Sequence, residues 1–215
     1  MTVANISYYA YSSAVIDNLY SQLDEYSNTG VACLYADYKD QSNQTLAHIL
    51  GSFLHQFLIT AQAPIPDEVT QKLHNIQHHG RKADTGDILP LLKIWLHQLK
   101  CAFICIDAVD ELEPSVRQQL LDVLKELLNH NARIFLTARG HIESEVKKRL
   151  IVTQNQNTVI ISASEQDIRE FVMQQIKKDT NPDAMDGELA KDIADAITKK
   201  SQQMWATQFE AYNRW

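Results

Sequence analysis

The stretch AFICIDAVDELE, Ala102–Glu113, decides how this chain folds. Five mostly apolar residues run into Asp107, and Asp110 and Glu111 follow closely. A short apolar run bounded by a polar turn has the form of a strand buried in a parallel sheet covered on both faces. In open α/β sheets the ligand crevice lies outside the C-terminal ends of the strands. Such a strand delivers Asp107 to that crevice and sets Asp110 and Glu111 on the turn beyond it.

Three more apolar, β-rich runs lie around this one: Val31–Ala36 (VACLYA), Arg133–Ala138 (RIFLTA) and Thr158–Ser162 (TVIIS). Segments with helical spacing separate them, over Ser13–Ser27, Gln44–Thr60, Asp84–Leu99 and Ser115–His130. Strands alternating with helices predict βαβ units and a three-layer parallel sheet. Between Val31 and Leu99 the alternation lapses. Two or three helices fall between two strands, with an exposed loop at His78–Gly86 (HHGRKADTG). After Ser162 the pattern turns wholly helical. Ser164 is placed to cap a helix, Asn181-Pro182 breaks the chain, and a last helix runs over Asp186–Lys200. The expected division is an α/β core over 1–163 and a short helical appendage with a divergent tail over 164–215.

Composition narrows the function classes. A net charge of −7 with no basic run argues against nucleic acid or an acidic membrane as partner. No apolar stretch reaches about 18 residues, so no membrane span is expected. The first residues, MTVANISYYAYSS, lack a basic segment followed by a clean apolar one, so they are not expected to be a secretory signal. Three cysteines, Cys33, Cys101 and Cys105, make an odd count without metal-type spacing. Cys33 and Cys105 fall in predicted strands and read as buried apolar residues, consistent with a reducing cytoplasmic setting.

An apolar strand ending in Asp, with further acids just beyond, is a Walker B pattern. In P-loop nucleotide hydrolases that Asp helps to hold Mg²⁺, and a nearby Glu can polarise the attacking water. The companion motif G-x-x-x-x-G-K-[ST] cradles the phosphates with backbone N–H groups and reaches them with its Lys. It is missing here. The six glycines stand at 30, 51, 80, 86, 140 and 187, and none is followed by lysine. Tyr8 and Tyr9, just before the first predicted helix, are too bulky for close phosphate approach.

Four segments together carry a family resemblance: VACLYADYKDQSNQTLAHILGSFLHQFL (Val31–Leu58), FICIDAVDELEP (Phe103–Pro114), RIFLTARGH (Arg133–His141) and ISASEQDIREFV (Ile161–Val172). They resemble fungal NACHT modules, also called nephrocystin-3-like N-terminal domains, over Ser12–Met204. The resemblance implies a P-loop ATPase of the signal-transducing, multidomain kind, with ATP and Mg²⁺ as cofactors in intact relatives. It implies that Asp107 matches the Mg²⁺-coordinating acid. It makes Asp110 and Glu111 the catalytic acidic cluster near the attacking water, and Arg139 a sensor of the γ-phosphate. A Gly-Lys-Thr triplet of a relative would fall about where Ser7-Tyr8-Tyr9 stands, so no phosphate-loop residue carries over.

The expectation is therefore a degenerate or truncated module that binds no cofactor of its own. Its partners would be other proteins, intact NACHT relatives among them. The alternative is a fragment of an active ATPase whose Walker A lies upstream. ATP and GTP are not distinguished. Arg139 reads equally as a strand-end residue paired with a nearby acid. His74, His78 and His79 read as a solvated face, Trp95 as core, and Lys147, Lys148 and Arg149 as a solvated helix face. The family's sheet order, 5-1-4-3-2, places the phosphate-loop strand at the centre. With that strand missing, either Val3–Tyr9 fills its slot or the sheet frays there.

Overall fold

The computed structural model describes residues 3–21, 23, 28–61, 63–150, 156–161, 165–177, 187–201 and 207–212. The deciding stretch forms β2 (Cys101–Asp107). It lies between β1 (Thr29–Tyr35) and β3 (Ala132–Arg139), parallel to both. Tyr35 pairs with Asp107 at one end of the ladder and Thr29 with Cys101 at the other. This mixed α/β architecture agrees with the sequence reading at the level of class.

Alternation along the strands divides the sheet into two faces. Ala32, Ile104 and Ile134 share one register row and join the main core. That face is covered by α2 (Leu46–Thr60), α4 (Thr85–Gln98) and α5 (Pro114–Leu127), through Leu50, Phe53, Phe57, Leu92, Trp95, Leu120 and Leu124. Trp95 is fully buried, as its spacing among leucines predicts. The other face carries Cys33, Cys105, Asp107 and Thr137, and α1 (Val3–Ser21) lies over it. A shorter helix, α3 (Asp67–His78), follows α2 in the chain, packs on α4 and buries Val69.

Helix starts follow local chemistry. Thr45 caps α2 by accepting from the His48 amide. Asp84 and Asp87 form a reciprocal capping box at α4. Glu113 caps α5, with Pro114 in its first turn.

As the outer strand of the ladder, β1 has one edge without a strand neighbour among the described residues. Two side chains of α2 cover it. Gln56 accepts from the Cys33 amide at 2.8 Å and donates to the Cys33 carbonyl at 2.9 Å, as a neighbouring strand would. Thr60 accepts from the Val31 amide at 3.2 Å. The edge is thereby closed to strand addition. Close approach of α2 also explains Gly30: a Cβ there would stand 2.7 Å from Phe57 Cδ1.

The far side of the sheet departs from expectation. The full order is β1-β2-β3-β5-β4, where β4 is Gln156–Ile161 and β5 is Thr207–Tyr212. The sheet is thus mixed rather than parallel, because β5 runs antiparallel to both β3 and β4. Val3–Tyr9 does not fill the slot beside β3, since those residues begin α1. The physical reason is backbone satisfaction. A central strand with one free edge leaves a row of unpaired N–H and C=O groups, and an extended segment within reach takes it. The register sets Gln208 opposite Ala138 and Glu210 opposite Leu136.

Residues 164–215 accordingly contribute a strand besides their helices. α7 (Glu165–Lys177) and α8 (Gly187–Ser201) pack on each other around Val172 and Ala194, a small core apart from the main one. The expected cap at Ser164 and the break at Asn181-Pro182 lie outside the described residues. No described helix is long and apolar enough to cross a membrane.

Candidate functional site

The C-terminal ends of β2 and β3 bring together all four residues singled out from sequence. Asp107 ends β2 and is 1% exposed. Its Oδ1 accepts from the Thr137 hydroxyl at 2.7 Å, and its Oδ2 is buried without a hydrogen-bond partner. Burial pushes the carboxyl up to about 6. The hydroxyls of Thr137 and Ser12 pull it the other way, while Glu111 and Asp110 add like-charge repulsion.

Beyond Asp107 the chain turns sharply. Ala108 adopts the left-handed conformation, with φ 55° and ψ 47°, which a residue bearing a Cβ rarely takes. The Ala108 amide donates to Thr137 Oγ1 at 2.8 Å. One threonine therefore holds both the carboxylate and the strained residue after it. Val109–Glu111 then forms a 3₁₀ turn, closed by the Glu111 amide donating to the Ala108 carbonyl at 2.8 Å.

That turn aims Asp110 and Glu111 at Arg139, at the end of β3. Asp110 Oδ1 accepts from the Arg139 amide at 3.1 Å, and Oδ2 lies 3.6 Å from Arg139 Nε. Glu111 Oε1 accepts from the same guanidinium at 3.2 Å. Its other oxygen accepts from the Tyr38 amide at 3.4 Å. Both acids are nearly buried, with side chains 3% and 11% exposed, whereas Arg139 is 56% exposed. Burial raises the Glu111 carboxyl, and the Tyr38 amide and Arg139 offset part of that rise. Arg139 therefore ends β3 paired with both acids.

Three further residues build the site. Thr137 lies within the quoted RIFLTARGH segment, yet nothing in the sequence shows that it faces Asp107. Ser12 is fully buried in α1, and its hydroxyl meets the same carboxylate. Arg117 of α5 is 8% exposed and donates to the carbonyls of Leu112 at 3.3 Å and Asp110 at 3.4 Å. Its charge is met by Glu145 at 2.9 Å. A sequence signal for it existed, because Arg117 shares the apolar face of α5 with Leu120, Leu121 and Leu124.

The other candidates stay apart from this cluster. His74, His78 and His79 are exposed on α3 and just after it, and the His79 ring bonds the Asn75 carbonyl. Lys147 pairs with Glu143, and Arg149 with Asp122 at 2.6 Å. Among the described residues no group of three or more His, Cys, Asp or Glu side chains is arranged to hold a metal.

Comparison with curated proteins and with solved structures returned no match. Comparison with family models matched one, described as "Nephrocystin 3, N-terminal", over residues 10–139. The matched span begins just before Ser12 and ends on Arg139, so it encloses every residue of the cluster. The chain belongs to the nephrocystin 3 N-terminal family.

Proposed function

We propose that this chain is a NACHT-type signalling module of P-loop ATPase descent that no longer hydrolyses nucleotide and works through contacts with other proteins. The observation that carries the reading is Arg139. Its guanidinium sits on both Asp110 and Glu111, the acids that such descent would aim at a water near the γ-phosphate. An acid neutralised by an internal cation is a poor base.

The donor set fits Mg²⁺–nucleotide badly. In P-loop hydrolases a Ser or Thr of the phosphate loop and the Walker B Asp hold the ion between them. Here Ser12 meets Asp107 directly. Mg²⁺ in such sites leans on substrate phosphates, and no glycine-lysine pair is present to bring them. The partners of such a module would be proteins, intact NACHT relatives among them, in the cytoplasm. A second reading has one observation in its favour. Asp107 Oδ2 is buried without a donor, as a former metal ligand would be. It makes the chain part of an active ATPase that receives its phosphate loop from outside these 215 residues.

Titration of the full-length gene product, with any sequence that precedes these 215 residues, by labelled ATP and Mg²⁺ separates the two readings. The first predicts no binding in the micromolar range and no phosphate release. Micromolar binding overturns it in favour of the second.

A further inference from the structure

Two of the three cysteines meet on the face of the sheet beneath α1. Cys33 and Cys105 are register partners on the parallel strands β1 and β2. Paired residues of neighbouring strands point to the same face, on backbones about 4.8 Å apart. A disulfide needs a Cα separation of about 4.4–6.8 Å, so the backbone already satisfies its first requirement. Both thiols are free, Cys105 fully buried and Cys33 partly exposed. Cys101 lies at the opposite end of β2, paired with Thr29, and is out of reach of both.

We propose that Cys33 and Cys105 are an oxidisable pair that a peroxide closes into a disulfide across β1 and β2. Cys33, the less buried thiol, reacts first. Its sulfur attacks one peroxide oxygen, the O–O bond breaks, an S–O bond forms and one water leaves, giving a sulfenic acid. The Cys105 sulfur then attacks Cys33, the S–S bond forms, the S–O bond breaks, and a second water carries off the Cys105 proton. Two thiols lose two electrons in all, and one peroxide is reduced to two waters.

The surroundings set the speed and the consequence. Burial raises the Cys33 thiol above its ordinary value, so it stays protonated at neutral pH. Closure is therefore slow there and quickens as pH rises and Cys33 ionises. A bridge between adjacent strands is strained, and strained disulfides reopen readily under mild reductant. In the open state the Cys33 thiol contacts Gln56 Oε1 at 3.4 Å and bonds the Tyr20 hydroxyl. Closure takes the thiol from both, so the seating of α1 over the sheet becomes dependent on redox state. None of this rests on the nucleotide history of the fold.

The test is exposure of the native full chain to hydrogen peroxide, then alkylation under denaturing conditions and peptide mass spectrometry. The expected product is a Cys33–Cys105 linked peptide with a loss of about 2 Da, Cys101 remaining alkylatable. Dithiothreitol should reverse it. Cys101→Ser should give the same link, and Cys33→Ser, a change at a partly exposed site, should give none. Free Cys33 and Cys105 after prolonged exposure overturn the proposal. So does a bridge through Cys101, a bridge between chains, or Cys33 driven to sulfinic acid without a link.

Discussion

Thr137 on β3 and Asp107 on β2 are joined by a 2.7 Å hydrogen bond across the parallel ladder, and the same hydroxyl receives the Ala108 amide at 2.8 Å. All three groups are buried. Replacing Thr137 by the isosteric Val strands a buried amide and a buried carboxylate oxygen, each costly to leave unmade. Thr137→Val should destabilise the fold by about 1–3 kcal/mol in urea unfolding, and Thr137→Ser should recover most of it. Equal losses in the two variants would show that the methyl group matters and the hydroxyl does not.

Asp107 is held at a cost to stability. Its carboxyl is raised to about 6 in the folded chain, above the ordinary 3.8. The folded state therefore binds its proton more tightly than the unfolded state does. The stabilisation linked to that proton is fully present below the ordinary value and is lost as pH rises through about 6. Asp107→Asn should stabilise the protein at pH 7 by about 1–3 kcal/mol. It should also flatten the slope of stability between the two values. A less stable Asn variant at pH 7 would mean that the charge supports the fold.

Ala108 carries backbone strain in its left-handed conformation. Glycine removes the clash of Cβ with the following carbonyl, worth about 1–2 kcal/mol, and returns about half of that as unfolded-chain entropy. Ala108→Gly should raise stability by about 0.5–1 kcal/mol, read as a higher urea midpoint with unchanged slope. A lower midpoint would contradict the turn geometry.

Arg139 is more than half exposed, so solvent screens its ion pairs even though Asp110 is nearly buried. Arg139→Ala should cost about 1 kcal/mol, and high salt should narrow its difference from the native chain. Lysine should not restore the loss, because one ammonium cannot reach two carboxylates as a planar fork does. A full rescue by Arg139→Lys would reduce the pairing to simple charge balance.

What could be read in advance was local. Ala102–Asp107 announces a buried strand by its apolar run and acidic stop, and α2, α4 and α5 announce themselves by spacing. The meeting of Asp107, Asp110, Glu111 and Arg139 was implied by the family resemblance, and the ion pairs give it a geometry. β5 was not legible. TQFEAY is short, carries a Gln and a Glu, and pairs with residues 68 or more positions earlier in β3, such as Arg139 with Thr207. Only the free edge of β3 selects it. The parts played by Ser12 and Thr137 were hidden for the same reason, since each depends on which strand or helix lies opposite Asp107.

The central claim is that Asp107 sits in a closed cluster and no longer serves a metal-bound nucleotide. Carbon-13 NMR titration of the Asp107 carboxyl, with and without Mg²⁺ and ATP, tests it most directly. The account predicts a midpoint near the value of about 6 set by burial, unmoved by Mg²⁺ and ATP. A midpoint driven down into the ordinary carboxylate range on their addition would contradict it, because only a bound cation could favour the ionised form so strongly.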